Sequence, residues 1–515
     1  MRFGFVGPAY QSPSPLADAE QLINWRPQRV ESPNARTPWV LLPTPGFQVF
    51  TTLPGSPPSV RGLGTFNGRT FAVAGSHLFE LVGPGFAPID YGPAGFTANN
   101  NILDDGLPAT MVVGGTVGGS YPTQLLIASG GQLTVFSLVT NSFQPITTPP
   151  TQVLMVEYLD GFFIALSANN SWSVSNPEDA TTWPGIAVTQ VAVFSDQLLA
   201  LIVTNRLLWV FGSKRAVAYY NSGAALFPFD VVNGGFMEVG ILAQFSVARV
   251  ALKAGTTVAW LGGDERGGAV VYMANGFIPQ KVSDSGLDYW LSQQSVINDA
   301  VGWSWQFEGQ NFYSLWFPSA KTTWTLDADL GWWHQNSSLV NGMPAAWRVR
   351  CHAGAFNVHL AGDRLSGNIY QLSSQFFTEN IGSGVIPIIR TRVGPTISNE
   401  GGQLPVPINE FQVDFTMGKG PQPPLTNAVG NPRDPFAMFS YSEDYGQTWS
   451  SERMIPCGQA GQTKRVAVDR RLGSWRSWTP KVTVSDPIMW QVADAYVNST
   501  QASKPRYAKQ IAEIA

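Results

Sequence analysis

The chain has 515 residues, of which 44% are hydrophobic and only 13% charged, and its formal net charge is −4. A single core stops growing at roughly 250–300 residues, so this length predicts one large repetitive domain and at least one smaller one. The acidic balance excludes the basic footprint on which tight nucleic-acid binding leans. The densest apolar run, Leu198 to Val203, has the length of a strand and falls far short of a membrane span.

The 52 Gly, 38 Pro, 18 Trp and 30 Phe suit many short strands joined by tight turns, and the scarcity of Lys and Glu disfavours long solvated helices. Low charge with many aromatics is also the composition of surfaces that other subunits cover, although β-rich chains carry few Lys and Glu in any case. The two cysteines, Cys351 and Cys457, make no disulfide framework and fit folding in a reducing cytoplasm. Gly4, Gly7 and Pro8 interrupt the N-terminus before a signal-peptide core develops, so no export segment is expected.

Along the chain, residues 1–59 are punctuated by proline (Pro8, Pro13, Pro15, Pro27, Pro33, Pro38 and onward) and predict an extended arm. One short helical turn is expected from Leu16 to Ile23, where Ala17, Ala19 and Glu20 are good formers. From residue 60 to 380 a unit recurs with a period of about 40 residues, the length of a propeller blade, and about seven units can be counted. Each is a β-type run, a Gly- or Asn-containing turn, a second run and an aromatic close. Asn67-Gly68, Asp160-Gly161 and Glu308-Gly309 supply two-residue hairpin turns. One four-stranded sheet cannot bury both faces alone, and radial stacking of blades solves that problem. The fold class read here is therefore all-β: a β-propeller with an N-terminal arm and a C-terminal β-sandwich-like domain over residues 381–503. Within that domain, Gly418–Pro435 reads as a long loop, and residues 504–515 as a terminal helix.

The sharpest motif is Ser442-Glu-Asp444-Tyr-Gly446-Gln-Thr448-Trp449, an Asp-box. Its Asp accepts turn N–H groups, its Gly supplies positive φ, and its Trp packs beneath, so its role is to fold a hairpin. Asp-boxes recur in sialidases, which makes a sialidase-like glycan hydrolase the rival function. A sugar- or receptor-binding propeller is a third reading, with Trp303, Trp305, Trp332 and Trp333 as stacking candidates. Cys351, His352 and His359 invite a zinc reading that fails on ligand number, and strand alternation would place His352 opposite the other two. No Walker loop, dinucleotide fingerprint or nucleophile elbow is present. No catalytic residue, metal ligand or cofactor is therefore assigned. A basic stretch remains: Arg453, Lys464, Arg465, Arg470, Arg471, Arg476 and Lys481, interleaved with Trp475 and Trp478. Arg465, Arg470, Arg471, Arg476 and Lys481 are candidates for contact with DNA phosphate or an acidic partner, and ordinary ion pairs to Glu452 or Asp469 are the alternative.

Several of these elements together carry a resemblance. Asn24–Pro27, the Leu-x-x-x-Pro-Gly-aromatic step at Leu41–Phe47, Gly331–Trp333, Gly367–Leu372, Ser442–Trp449 and Arg470–Pro487 resemble, in order, the packaged-DNA stabilisation proteins of short-tailed phages, also called tail accessory or nozzle proteins. The chain is longer than is typical of that family, and 418–435 has the look of an insertion. The resemblance implies a virion protein of the tail, made in the host cytoplasm. It implies a β-propeller subunit in a hexameric ring below the portal and adaptor proteins, extending the DNA channel. Further implied partners are a tail needle or plug and a tailspike or fibre, with DNA passing through unread in sequence. On this reading the Pro-rich arm and terminal helix would clasp neighbours, and deleting residues 1–20 would leave a folded monomer unable to assemble.

Overall fold

A computed structural model of the protein describes residues 3–499, apart from 97–99, 117–120, 186–187, 191–195, 226, 264–267, 400–401, 420–424 and 428; the predicted helix at 504–515 lies outside the described residues. Seven antiparallel sheets, numbered here as blades 1 to 7, follow one another from residue 60. Blade 1 spans Val60–Phe66, Arg69–Ala74, His77–Leu81 and Ile89–Asp90, and blades 2, 3 and 4 repeat this plan from Thr110, Val153 and Leu198. In blade 5 the inner edge is shared by Gly240–Ile241 and Ala248–Leu252, on either side of a 3-10 turn at Gln244–Ser246. Blade 6 opens with Val301–Phe307 and ends on Trp332–Val340. The first strand of each blade contacts the first strands of its two neighbours, and blade 7 (Val349–Ala355 inward) returns to blade 1, so the ring is closed.

The core lies between blades. Phe71 and Phe136 meet between blades 1 and 2, Trp172 and Tyr219 between blades 3 and 4, and Trp305 and Trp347 between blades 6 and 7. Burying one such large apolar side chain contributes about 1.5–3 kcal/mol, and a blade alone would leave these faces wet. The tight turns have the conformation their sequence asks for. Asn67 and Gly68, Asp160 and Gly161, and Glu308 and Gly309 all have positive φ, as type I′ hairpins require. The one α-helix among the described residues, Ser285–Ser292, was not expected; Asp284 caps it through Leu287 N at 2.7 Å.

The segment expected to be an extended arm is stitched into the rest of the chain. Gly46–Thr52 is the fourth strand of blade 7, pairing antiparallel with Asn368–Ser373. Gln21–Ile23 pairs on one edge with Trp332–Val340 of blade 6 and on the other with Arg390–Val393 of the C-terminal domain. The helical turn expected at Leu16 to Ile23 shrinks to one hydrogen-bonded turn at residues 14–18. Pairing on both edges of 21–23 outweighs the weak helical preference of Ala and Glu.

The C-terminal domain packs two sheets face to face. One runs Arg390–Val393, Ser477–Val484, Phe436–Ser442 and Arg453–Pro456. The other runs Trp25–Arg29, Trp39–Pro43, Val492–Ser499, Val406–Phe415 and Ala467–Arg470, so two of its strands come from the N-terminal segment. Phe5, Trp25, Phe411, Trp478 and Trp490 fill the space between them. Phe5 is fully buried and Val6 nearly so. Removing residues 1–20 would therefore strip this core, and that deletion cannot test assembly.

Candidate functional site

The inner strands of the propeller leave an axial cavity of about 190 Å³. Glycines let the strands close in: a Cβ at Gly302 would stand 2.2 Å from Ser246 O, and one at Gly62 2.8 Å from Ala109 O. A space of that volume has no room for a DNA duplex. Beside this cavity, buried arginines on the first strands of blades 1 and 7 hold the 101–107 loop. Arg61 donates to Gly75 O (2.6 Å), Leu103 O (2.9 Å) and Ser129 Oγ (2.8 Å), and pairs with Asp104 (3.2 Å) and Asp105 (3.1 Å). Arg350, on the first strand of blade 7, donates to Gly106 O (2.6 Å) and Ser59 Oγ (3.1 Å). Burial pushes the Arg61 pKa down, with the two aspartates opposing, and pushes Arg350 down to about 10.

A sialidase-like site needs an arginine triad converging with a tyrosine. Among the described residues lining the axial cavity there are two arginines and no tyrosine. The aromatic residues expected as sugar platforms are interior: Trp303, Trp305 and Trp333 are buried, and Trp332 packs on Trp39 at 4.3 Å.

In the sandwich, the Asp-box residues meet at one hairpin. Ser442 Oγ donates to Asp444 Oδ1 (2.7 Å) and accepts from Gly446 N (2.7 Å), while Thr448 N donates to Asp444 Oδ1 (2.8 Å) and its hydroxyl to Oδ2 (2.6 Å). The Thr448 bonds, with help from Ser442, hold the Asp444 carboxyl down to about 2. Gly446 has φ +89°, a value that favours glycine. Lys481 Nζ sits 4.2 Å from the Trp449 ring centroid, which brings the basic stretch to the motif. The other bases are spread out and mostly spoken for. Arg453 pairs with Asp469 (2.9 Å), Arg465 with Asp434 (3.5 Å) and Arg470 with Glu410 (2.8 Å). Lys464, Arg471 and Arg476 are exposed, and Trp478 lies fully in the core. A second turn of the same kind went unread in blade 3. There Asp179 accepts from Thr181 N (2.8 Å) and its hydroxyl (2.6 Å), four residues before the buried Trp183.

Sequence reasoning also missed the charges buried where propeller and sandwich meet. Arg392 pairs with Glu20 and donates to Phe5 O (2.8 Å); Arg26 pairs with Glu308 at the tip of a blade 6 hairpin. Glu379 accepts from Ser338 Oγ (2.7 Å), and inside blade 7 Arg348 pairs with the fully buried Asp363 (3.3 Å). Burial lifts the Glu379 carboxyl to about 8 and drops Arg390 to about 10. The placing of His352 opposite His359 is corrected as well. The Ala355–Val358 hairpin reverses the chain and brings both rings to one face, with His352 Nε2 3.2 Å from His359 Nδ1. Cys351 lies across the strand from them, and among the described residues no group of three metal-ligating side chains forms.

Two family models match the chain, both described as bacteriophage P22 Gp10: a β-propeller model over residues 117–377 and a β-sandwich model over residues 390–499. Blade 1 and the N-terminal strands precede the first match. No curated protein matches the chain. Among solved structures, the extracellular domain of the one-component system BT4673 from B. thetaiotaomicron is 9% identical with a TM-score of 0.43. The match covers 65% of this chain and 41% of that one. The computationally designed Ika8 protein is 12% identical, with a TM-score of 0.37, 63% of this chain covered and 99% of that one. The WD40 β-propeller domain of Doa1 is 9% identical, with a TM-score of 0.37, 64% of this chain covered and 97% of that one.

Proposed function

Because the chain belongs to the bacteriophage P22 Gp10 family, we infer that it is a structural protein of a short-tailed phage virion, the tail nozzle that retains packaged DNA. The observation that carries this reading is the pair of family domains, propeller and then sandwich, matched in order over residues 117–377 and 390–499. The small volume of the axial cavity refines it. If no duplex passes through one subunit, the channel must be the space enclosed by several copies. A heterologous contact that closes on itself gives such a ring, and the ring proposed is a hexamer. It would seat against the portal and adaptor proteins on one side and meet a needle or plug, and a tailspike or fibre, on the other. An acidic chain suits a channel through which DNA must slide without sticking. The chain's work on this reading is mechanical, with no catalytic step.

For the exposed base cluster, protein contact is favoured over phosphate. Arg465 and Arg470 are already paired to carboxylates of the same chain, which leaves Arg471 and Arg476 as exposed bases to meet an acidic neighbour. The reading is tested by adding the purified chain to portal–adaptor complexes and following mass by analytical ultracentrifugation and electron microscopy. Addition of one discrete six-copy layer is expected. Addition of single copies, or no addition at all, would overturn the ring.

A further inference from the structure

We propose that copies of this chain join head to tail, with Phe86 of one copy seated in the cleft between blades 4 and 5 of the next. The proposal rests on the ring reading and names the two surfaces that close the ring. The cleft holds about 240 Å³. Its floor is apolar, formed by Leu207, Trp209, Leu252 and Phe277, with the Trp209 and Phe277 rings 5.4 Å apart. Leu207, Leu252 and Phe277 are only half-buried, so the floor is open to an occupant. No lining residue is charged, and an ion or a charged peptide would be desolvated there without compensation. An apolar site of about 150 Å³ takes up benzene, so a phenyl ring fits.

The same chain carries a matching phenyl ring. Phe86, on the loop that joins the third and fourth strands of blade 1, is 66% exposed, the most exposed aromatic side chain among the described residues. Its N–H donates to Gly83 O (3.3 Å), Pro84 lies between them and Gly85 takes φ +77°, so the loop is a set turn that loses little freedom on docking. Val82 and Ile89 on the same loop are exposed too, and the one charged residue from 81 to 96, Asp90, already pairs with His77 (3.0 Å). Position also suits a ring. Blade 4 is three places from blade 1 one way round and blade 5 three places the other way, so the cleft is on the opposite flank of the propeller. Loop and cleft share one end of the propeller, because both are edged by turns that join first to second or third to fourth strands. Two unlike patches on opposite flanks at one height make a heterologous contact, which closes when copies are turned about an axis parallel to the propeller's own.

The test follows addition of the full chain to portal–adaptor complexes. Phe86→Ser, and Ala254→Trp, which fills the cleft from its exposed rim, are each expected to raise the concentration for half-maximal addition about tenfold or more, as loss of an aromatic anchor predicts. Neither residue is buried, so both variants are expected to keep the thermal melt of the parent chain. A chain carrying Ala87→Cys with Thr256→Cys is expected to give, with a short bis-maleimide, a ladder of linked copies. Chains with only one of the two changes, which keep the native Cys351 and Cys457, are expected to give none. A six-copy layer that forms as readily with Phe86→Ser, or forms without the ladder, overturns this contact and leaves the ring standing, with the cleft assigned to another occupant. If the unsubstituted chain adds no layer, the ring reading falls and this contact falls with it.

Discussion

Two sets of arginines divide this molecule. Those clustered in sequence, Arg453 through Arg476, sit on the sandwich surface and mostly pair with nearby half-buried carboxylates while their own guanidiniums stay in solvent. Those scattered through the chain, Arg26, Arg61, Arg350, Arg390 and Arg392, are buried where distant segments join: blade 7 to blade 1, propeller to sandwich, N-terminal segment to both. Exposed pairs are screened by water and are worth little, whereas a buried charge that loses its partner must be desolvated for nothing. Local density of charge therefore marks the region that matters less to the fold.

That contrast can be broken or sharpened by experiment. Deleting residues 1–20 removes Phe5, Val6 and Glu20 and leaves Arg392 unpaired, so the sandwich is expected to lose cooperative unfolding and become protease-sensitive. A truncated chain that resists proteolysis as the full one does would show the N-terminal segment to be dispensable. Arg61→Ala is expected to destabilise by about 3–5 kcal/mol in urea unfolding, since it empties a fully buried position that bonds two blades and the 101–107 loop. A loss below about 1 kcal/mol would place Arg61 with the surface pairs.

Two buried titrating groups predict opposite pH limbs. His334 is held down to about 3 by burial, chiefly, so the unfolded chain takes up its proton first. Its contribution to stability is full above about pH 6.5 and is lost as pH falls toward 3. Glu379 is held up to about 8, so the folded chain keeps a proton that the unfolded chain releases above about 4.5. Its contribution is full below that and is lost as pH rises to about 8. Each limb has a slope of at most about 1.4 kcal/mol per pH unit. Urea midpoints taken between pH 4 and 9 are expected to flatten on the alkaline side in Glu379→Gln and on the acid side in His334→Gln; slopes that do not change would mean these groups titrate normally. The smallest effect is expected for Arg470→Ala, within about 0.5 kcal/mol, because its pair with Glu410 stands in solvent.

How far the sequence could be read depended on how local each signal was. The blade period and the hairpins at Asn67-Gly68, Asp160-Gly161 and Glu308-Gly309 were legible because glycine announces positive φ. Equivalent turns at Asn205-Arg206 and Phe356-Asn357 carry no glycine. Phe356 takes φ +54° while stacked on Phe50 at 5.8 Å, a tertiary contact that offsets the strain and that no local rule reveals. Face parity failed for His352 and His359 because a hairpin between them reverses it. The pairing of Gly46–Thr52 with Asn368–Ser373, and the meeting of Arg61 with Arg350 beside the axial cavity, join parts of the chain too far apart for any window to link. The Asp-box was visible, but the chemistry it folds is only its own turn.

The strand Gly46–Thr52 also sets a clock on biosynthesis. It leaves the ribosome before any blade, yet its partner Asn368–Ser373 is the last propeller strand to be made. At roughly 5–20 residues per second the early segment waits on the order of tens of seconds with its hydrogen-bonding edges open. Throughout that interval the nascent chain can pair with the wrong edge, including that of another copy. Faithful production of this protein therefore depends on what shields its first fifty residues during translation.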